Sequence, residues 1–392
     1  MVTIDSATSF DPVVAATALA PQIIAARESL ERERRLPPSL VTAIAEAGLF
    51  RLWVPADLGG DELEPERLFQ LIEAFSELDG SVGWCLMIGA LGGMIGAYLP
   101  ESGARAIFGS DALAVMGGSF TPRGRAIPVP GGYRVSGRWP FASGCDHCTW
   151  LSGVSLVVDG EQPRLGVDGT PDLRLMFFRV GQCAIIDTWD SGGLCGTGSH
   201  DIAVTDLFVP EDHNFAFLTG RPRLDHPLYR VSIFQWFPAA VAAVPLGIAR
   251  TAIETLKALA AAKVPTFGTT LLRDRSVIQA QVAQAEATLQ AARGLLYATV
   301  RDAWQSACQG APLTPEQEAM LAAAPAYAAA AARQVTESMY QAGGGTAVYR
   351  QSPLDRCLRD VQVAAQHLGV SPVNYERAGR LLLGMDPGPL GS

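Results

Sequence analysis

A glycine-rich run near the end of the chain reads Gln341-Ala-Gly-Gly-Gly-Thr-Ala-Val-Tyr349-Arg-Gln-Ser-Pro353-Leu-Asp-Arg-Cys-Leu-Arg-Asp360. Alanine-rich helical patterns precede it at Ala239–Ala262, Ser276–Cys308 and Pro315–Ala342. Long helices packed through small residues and separated by short breaks such as Gly310-Ala-Pro312 predict a four-helix bundle. Because excess apolar surface on such a bundle is often covered by a second copy, we also expect an oligomer.

The rest of the chain divides into two further patterns. Apolar residues recur at helical spacing from about Pro12 to Asp111. After Ala114, the alternation in Tyr133–Trp139 and β-branched or aromatic runs predict strands; the runs are Leu151–Val158, Leu175–Val180 and Ile202–Val209. We therefore expect an α+β multidomain chain, with a helical domain over 1–113, a β domain over 114–225 and a helix-bundle domain over 226–392.

Composition excludes several classes of protein. The 392 residues are 48% hydrophobic, enough for a large core, and the net charge of −9 argues against a nucleic-acid surface. The apolar but glycine-rich segment Val82–Leu99 is interpreted as a buried helix rather than a membrane span. With acids and no basic region at the N-terminus, no secretory signal is predicted, and we expect a cytoplasmic protein without membrane partners.

The cysteines indicate neither disulfides nor a metal. Their number, seven, is odd and they are scattered along the chain. Cys145-Asp-His147-Cys148 has a Cys-x-x-Cys spacing, but no second pair completes a four-ligand set. We expect reduced thiols and no metal.

The glycine-rich run resembles the Gln-x-x-Gly-Gly…Glu-x-Pro…Arg-Asp segment of the acyl-CoA dehydrogenase superfamily. Ala47–Gly60 and Asp79–Trp84 look like the N-terminal helical domain of that family, and Gly196–Pro210 looks like the close of its β domain. The resemblance covers most of the chain and implies the acyl-CoA dehydrogenase-like fold. In the expected pattern a glutamate before the proline removes the substrate α-proton, but here Gln351 occupies that position and an amide cannot act as a base.

Two details resemble the two-component flavin monooxygenases, a branch that includes the oxygenase component of p-hydroxyphenylacetate hydroxylase and dibenzothiophene monooxygenase. One is Trp139-Pro-Phe-Ala-Ser143-Gly144, and the other is Arg359-Asp360 followed by Gln366-His367. The resemblance implies an oxygenase that uses reduced FMN or FAD and O2, through a flavin C4a-hydroperoxide, on a small phenol, indole or thiophene. It also implies a separate NAD(P)H-dependent flavin reductase, and the chain has no Gly-x-Gly-x-x-Gly dinucleotide fingerprint of its own.

Ser143 and His367 are the predicted catalytic residues. By the resemblance, Ser143 lies beside the flavin N5. His367 is the candidate acid-base group, because imidazole titrates near neutrality. The roles of His147 and His200 stay open between site residues and loop-stabilising residues.

The resemblance also implies the cofactor site. Lys263 stands where the dehydrogenases usually have an arginine before a Phe-Gly pair, which favours exchangeable flavin because lysine lacks bidentate geometry. The C-terminal members of the set are expected to come from a neighbouring subunit of a homotetramer or dimer. The predicted cofactor residues are Phe120, Thr121, Trp139, Phe141, Ser143, Gly196, Thr197, Ser199, Lys263, Phe267, Gln341, Gly344 and Gly345.

The predicted substrate wall is apolar. It comprises Trp84, Met87, Leu91, Met94, Trp236 and Phe237, with His367 beside it. Two alternatives stay open: an FAD-bound acyl-CoA dehydrogenase or oxidase that uses another base, and a flavin-fold protein without catalysis. The choice among hydroxylation, N-oxidation and S-oxidation also stays open.

Overall fold

A computed structural model describes residues 12–109, 111, 113–166 and 169–388. Within these ranges a block of helices, a sheet and a second block of helices follow one another along the chain. This order confirms the predicted acyl-CoA dehydrogenase-like architecture. The N-terminal residues from which the secretory signal was excluded lie outside the described ranges.

The first helical block packs around one strongly apolar helix. Its helices are α1 (Pro12–Glu33), α2 (Pro38–Glu46), α3 (Pro65–Leu78), α4 (Gly80–Gly92) and α5 (Glu101–Ala104). The window Gly80–Ala97, which is hydrophobic enough to span a membrane, is 94% buried inside the fold. The high hydropathy of α4 therefore reflects a helix surrounded by protein on every side, as predicted for Val82–Leu99.

The middle block is one twisted sheet in the order β6-β7-β2-β1-β3-β5-β8, with β4 paired to β3. β1 and β3 run parallel, and the other neighbouring pairs are antiparallel. The strands are β1 (Met116–Val129), β2 (Gly132–Ala142), β3 (Trp150–Asp159), β4 (Gln162–Pro163), β5 (Leu173–Arg179), β6 (Ala184–Ile186), β7 (His200–Pro210) and β8 (Asn214–Ala216).

Trp139 lies in the interior of this sheet. Its side chain is fully buried, and its indole N–H donates to the carbonyl of Val154 at 2.8 Å. A Cβ added to Gly124, Gly137 or Gly153 would lie within 2.6 Å of the indole, so these glycines make room for the ring. Trp139, predicted above as a cofactor residue, has no exposed surface to offer a ligand, because the sheet itself occupies the space around the indole.

The C-terminal block is built on α7. Its helices are α6 (Pro227–Arg230), α7 (Ile233–Ala262), α8 (Ser276–Cys308), α9 (Pro315–Gly343), α10 (Pro353–Ala364) and α11 (Val373–Leu382). α7 begins before the predicted Ala239 because Ser232 and Gln235 form a capping box at its N-terminus. Since α7 packs against α3, α4, α9 and α10, its N-terminal turns lie where the three blocks meet.

Candidate active site

Four predicted residues from separate segments form a buried hydrogen-bonded chain, called here the hydroxyl chain. Trp84 on α4 donates its indole N–H to Ser143 Oγ at 3.0 Å. Ser143 Oγ lies 2.7 Å from Ser199 Oγ, which lies 2.7 Å from Thr197 Oγ1. None of the four is more than 7% exposed. The fold therefore brings together residues that are far apart in the sequence.

Asp360 anchors the hydroxyl chain to the helix bundle. Thr197 Oγ1 donates to the carbonyl of Leu194 at 2.8 Å, and the Leu194 N–H donates to Asp360 Oδ1 at 2.6 Å. Burial raises the pKa of Asp360 to about 7, although the nearby Arg356 lowers it. The aspartate of the C-terminal Arg-Asp pair thus holds the loop that carries half of the hydroxyl chain.

Arg356 completes a closed set of polar contacts, called here the polar ring. Its Nη2 lies 2.6 Å from Asp79 Oδ2, and its Nε lies 3.7 Å from Asp360 Oδ2. Asp79 in turn caps α4, because its Oδ1 accepts two backbone N–H groups of the first turn. Since α4 also carries Trp84, the polar ring runs from α4 through the sheet to α10 and back, and it fixes all three blocks to one another.

His367 follows α10 and lies between two aromatic rings. Its centroid is 5.7 Å from that of Trp84 and 5.4 Å from that of Phe237. His367 Nδ1 accepts the N–H of Gly369 at 3.0 Å, which assigns the proton of the neutral ring to Nε2. Burial lowers the pKa of His367 to about 4.

These properties bear on the predicted acid-base role of His367. A ring with so low a pKa is neutral near pH 7, and its only basic nitrogen, Nδ1, is already engaged by backbone. The structure therefore favours His367 as a hydrogen-bond donor over His367 as a group that accepts a substrate proton. Nε2–H remains a hydrogen-bond donor.

Four phenylalanines continue the aromatic surface beyond His367 and are called here the phenylalanine wall. Phe120 on β1 lies 5.3 Å from Phe217 and 5.9 Å from Phe237 on α7. Phe217 and Phe234 form an edge contact with centroids 4.9 Å apart. All four side chains are half-buried, so part of each ring remains accessible to a ligand.

Two members of the phenylalanine wall escaped the sequence analysis. Phe234 precedes Phe237 by one helical turn, and i, i+3 residues share a helix face. The i, i+3 spacing could therefore have identified Phe234 from the sequence. Phe217 follows β8 in a segment of irregular structure, where periodicity offers no guide to orientation, and only the fold brings it against Phe120.

Most of the other predicted substrate residues lie in the core. Their side chains are at most 1% exposed; they are Met87, Leu91, Met94 and Trp236. The prediction that they line the substrate is wrong, because α4 is covered on every side and the Trp236 indole N–H donates to the carbonyl of Leu228. Trp84, Phe237 and His367 remain as candidates.

Phe141 projects outward from the sheet. Its φ of +62° is uncommon for a bulky residue, and the register of β2 against β7 shifts at this point. The side chain is 66% exposed and meets the edge of Trp189 with centroids 6.4 Å apart. The irregularity aims Phe141 away from the core and leaves its ring available to a ligand. Thr121 is half-buried beside Phe120 on β1.

The loop before β7 is shaped by packing. A Cβ on Gly196 would lie 2.9 Å from Leu30 Cδ2 and 3.1 Å from Ser81 Cβ. Glycine is required there so that the loop can approach α1 and α4. Packing against α1 and α4 thus accounts for a glycine at position 196, and its predicted contact with a cofactor stays a prediction.

Both histidines whose roles stayed open have structural partners. His200 Nδ1 accepts the backbone N–H groups of Thr188 and Trp189. His147 is stacked on Phe50, and burial lowers the pKa of His147 to about 4. Their contacts account for both residues as supports of the loops that surround the hydroxyl chain.

The remaining predicted cofactor residues lie at the opposite end of α7 and form what we call the far-end cluster. Lys263 Nζ donates to the carbonyl of Gly343 at 2.8 Å, and a Cβ on Gly344 would lie 3.9 Å from Nζ. Gln341 and Gly345 flank this contact in the sequence. Phe267, in contrast, has a fully exposed side chain.

The far-end cluster and the phenylalanine wall lie at opposite ends of α7. With about 1.5 Å of rise per residue, Lys263 lies roughly 40 Å along α7 from Phe237. The predicted cofactor residues thus fall into two groups that one protomer does not unite.

The interpretation of Gln351 as a vacant catalytic position is also wrong. Gln351 is exposed and precedes α10, whereas His367 follows the same helix. A helix of this length, about 18 Å, separates the two residues. Gln351 is therefore remote from the aromatic rings around His367, and its identity has no bearing on the chemistry there.

The family comparison agrees with this architecture. Residues 14–106 match the family described as "Acyl-CoA dehydrogenase, N-terminal domain", and residues 239–372 match "Acyl-CoA dehydrogenase, C-terminal domain". Indole-3-acetate monooxygenase of Pseudomonas putida is 34% identical over 359 residues, which cover 92% of this chain and 90% of the relative.

Solved structures of similar proteins have the same fold. XiaF from Streptomyces sp., solved with FADH2 and glycerol, has a TM-score of 0.90 at 24% identity, covering 97% of this chain and 96% of XiaF. The 3-HSA hydroxylase of Rhodococcus sp. RHA1 has a TM-score of 0.88 at 25% identity, with 97% and 99% covered. The chain belongs to the acyl-CoA dehydrogenase family, in its branch of flavin-dependent monooxygenases.

Proposed function

We propose that this chain, as the oxygenase component, takes up reduced FMN or FAD and adds one oxygen atom from O2 to a small aromatic ring. The observation that carries the proposal is that His367 lies between Phe237 of the phenylalanine wall and Trp84 of the hydroxyl chain. A surface suited to a flat ring thereby adjoins a buried hydroxyl. Reduced flavin, when bound, supplies the two electrons that activate O2.

The residues around Ser143 fit a flavin ring. Ser143 is nearly buried, and Trp84 fixes its oxygen. Phe141 offers an exposed aromatic face two residues earlier. We assign Ser143 to the N5 edge of the ring and Phe141 to its face. In such a site the scarcity of water strengthens each hydrogen bond and slows the wasteful release of hydrogen peroxide.

We assign His367 the role of a hydrogen-bond donor. Its Nε2–H is free of backbone, whereas Nδ1 is taken by Gly369. The donor would hold the oxygen that is transferred or an oxygen of the substrate, and its neutral state persists through the physiological pH range because the pKa is about 4.

Replacement of His367 tests this assignment. His367→Asn keeps an acceptor for the Gly369 N–H and removes the distal donor, so we expect product per reduced flavin to fall about tenfold, the value of one buried hydrogen bond. The exposed neighbour gives the control, Leu368→Ala, which should leave product unchanged. Unchanged product in His367→Asn would remove the assignment.

The phenylalanine wall favours a neutral, flat substrate. Aromatic rings bind one another through offset or edge contacts, and Phe120, Phe217, Phe234 and Phe237 provide such faces and edges together. A relative that covers most of the chain is named for indole-3-acetate. We infer an indole-type ring as the first substrate to test, with phenols and thiophenes as comparisons.

We infer that the working enzyme is a homo-oligomer, a dimer or a tetramer. The support is the distance between the phenylalanine wall and the far-end cluster, which a second protomer would bridge by placing its own Lys263 and Gly344 near the flavin phosphates. Mixed oligomers test this inference. Co-refolded Ser143→Ala and Lys263→Ala subunits should recover more activity than either variant alone. No recovery would indicate that Ser143 and Lys263 do not act together in a site formed between two protomers.

A separate flavin reductase is the expected partner. Lys263 presents a point charge already shared with the Gly343 carbonyl, which suits weak and exchangeable binding of a phosphate. We propose that the protein and the reductase are both cytoplasmic, because NAD(P)H is available to the reductase there.

The central experiment supplies reduced flavin and measures products. Purified protein, a flavin reductase, NAD(P)H and FMN or FAD are incubated with indole under 18O2, and labelled product and hydrogen peroxide are quantified per NAD(P)H consumed. We expect one 18O atom per product molecule. Absence of oxygen-dependent product with indole, phenol and thiophene, together with anaerobic bleaching of bound flavin by an acyl-CoA, would overturn the proposal in favour of a dehydrogenase.

A further inference from the structure

The hydroxyl chain has a defined direction. The carbonyl oxygen of Leu194 can only accept, so the Thr197 hydroxyl donates its single hydrogen there. Ser199 must then donate to Thr197, since the Thr197 hydrogen is already used. For the same reason Ser143 must donate to Ser199. Each hydroxyl has one hydrogen, and the carbonyl at the end determines where all three point.

Ser143 is left with acceptor capacity alone. It accepts from the Trp84 indole N–H, which is a donor only, and it gives its own hydrogen to Ser199. A hydroxyl oxygen has two lone pairs, and Trp84 uses one of them. What Ser143 can still offer a ligand is therefore a lone pair and no hydrogen.

We propose that Ser199 and Thr197 are positioning residues that hold Ser143 as an obligate hydrogen-bond acceptor for the N5–H of reduced flavin. This inference rests on the proposed function. The N5 atom of reduced flavin carries a hydrogen, so a hydroxyl that pointed its own hydrogen there would leave two donors facing each other. An oriented lone pair retains the N5 hydrogen instead.

The anchoring of the chain's end supports this assignment. The Leu194 backbone is held through its N–H by Asp360, and Asp360 and Asp79 share Arg356, while Asp79 caps the helix of Trp84. Both ends of the hydroxyl chain are thus tied to one arginine. The Leu194 carbonyl also accepts the Trp189 indole N–H and the Thr197 backbone N–H, both at 3.1 Å. Reversal of the three hydroxyls would nevertheless leave the Thr197 and Leu194 oxygens 2.8 Å apart with no hydrogen between them, which is unfavourable in a buried site.

The first test uses the protein without flavin and reads the Trp84 indole N–H by NMR, with Trp84→Phe to assign the signal. Ser199→Ala frees the Ser143 hydroxyl to rotate, and Thr197→Val removes the acceptor of Ser199 at similar volume. We expect both variants to shift the Trp84 signal and speed its exchange with water about tenfold. Ser199→Thr retains a hydroxyl, so its Trp84 signal and exchange rate should match those of the natural protein.

A serine outside the chain provides the matched control. Ser155 on β3 is fully buried, and its Oγ has only a 3.5 Å contact with the carbonyl of Gly153. Ser155→Ala removes a buried hydroxyl from the sheet that adjoins the hydroxyl chain and should leave the Trp84 signal unchanged. A similar shift in Ser155→Ala would show general loosening and overturn the assignment.

The second test measures the division between product and hydrogen peroxide with reduced flavin and O2. We expect Ser199→Ala and Thr197→Val to lower product per reduced flavin about tenfold, the size of one lost hydrogen bond, with recovery in Ser199→Thr. A shifted Trp84 signal with unchanged product would overturn the role toward flavin. An unshifted Trp84 signal would overturn the directed chain itself, whether or not the protein proves to use flavin.

Discussion

The helix bundle and the polar ring each bury a carboxylate against an arginine, but the two clusters lead to different places. In the bundle, Glu73 lies 2.6 Å from Arg293 and accepts the hydroxyl of Tyr297, and burial raises the pKa of the adjacent Glu77 to about 7. In the polar ring, burial raises the pKa of Asp360 to about 7 as well. We call the residues around Glu73 the bundle cluster.

The difference lies in what each cluster contacts next. The bundle cluster joins α3 to α8, and its hydrogen bonds end on Tyr297 within the bundle. Asp360 accepts the Leu194 N–H, and the Leu194 carbonyl accepts the hydroxyl of Thr197 in the hydroxyl chain. Through Trp84, the hydroxyl chain reaches the aromatic rings around His367. A raised pKa marks burial in both cases, and only the continuity of hydrogen bonds distinguishes a support of the site from a support of the fold.

The largest expected effect is on stability in the bundle cluster. Glu73→Ala leaves the Tyr297 hydroxyl buried without a partner and Arg293 without its ion pair, which should lower the free energy of unfolding by about 3 kcal/mol. Urea unfolding measures this change in the free energy of unfolding. The control is Glu254→Ala on the surface of α7, which should cost about 0.5 kcal/mol. Product per reduced flavin should not change. A fall would show that the two clusters are coupled.

The next effect is a pH dependence at Asp360. Its pKa is raised on folding to about 7, so the stability that the protonated acid contributes is present at low pH and is lost as the pH rises through that value. Relative to Asp360→Asn, the natural protein should lose about 2 kcal/mol between about pH 5.5 and about pH 8. Chemical unfolding at both pH values checks this, and parallel curves for the two proteins would contradict it.

A smaller effect of the same sign is expected at Glu77. Glu77→Gln should also flatten the pH dependence, by about 1 kcal/mol because this half-buried group is partly screened by water. The sharper comparison is functional. Asp360→Asn should lower product per reduced flavin, since it weakens the tie to Arg356, while Glu77→Gln should not. Equal losses in both variants would remove the distinction between the clusters.

The smallest expected effect is an absence of titration at His367. With a pKa of about 4, His367 is neutral over the working range and should add no inflection to the pH profile of product formation near its ordinary value. Profiles of the natural protein and His367→Asn should therefore have the same shape at different heights. An inflection near about pH 6.5 that His367→Asn removes would contradict the assigned donor state.

Local patterns predicted the elements well. The alanine-rich periodicity located α8 and α9 closely, because helix-face patterning is a property of neighbouring residues. The family resemblance brought Trp84, Ser143, Thr197, Ser199 and His367 forward as site residues. Apart from the local contact between Thr197 and Ser199, their contacts with one another could not be read from the chain, since they are made only when separate blocks pack together.

The errors at apolar and aromatic residues have one physical cause. Met87, Met94, Trp139 and Trp236 are apolar or aromatic like true cavity residues, and composition cannot tell a side chain that faces a cavity from one that faces the core. Phe217 was missed for the complementary reason, because irregular structure carries no periodicity.

The order of residues was sufficient to define helices, strands, their sequence along the chain and the family to which it belongs, because these depend on local spacing and on motifs. The direction of the hydroxyl chain, the tautomer of His367 and the distance between the phenylalanine wall and the far-end cluster emerged only when the blocks packed together. Each depends on which donor meets which acceptor across segments far apart in sequence, and burial away from water makes those meetings obligatory.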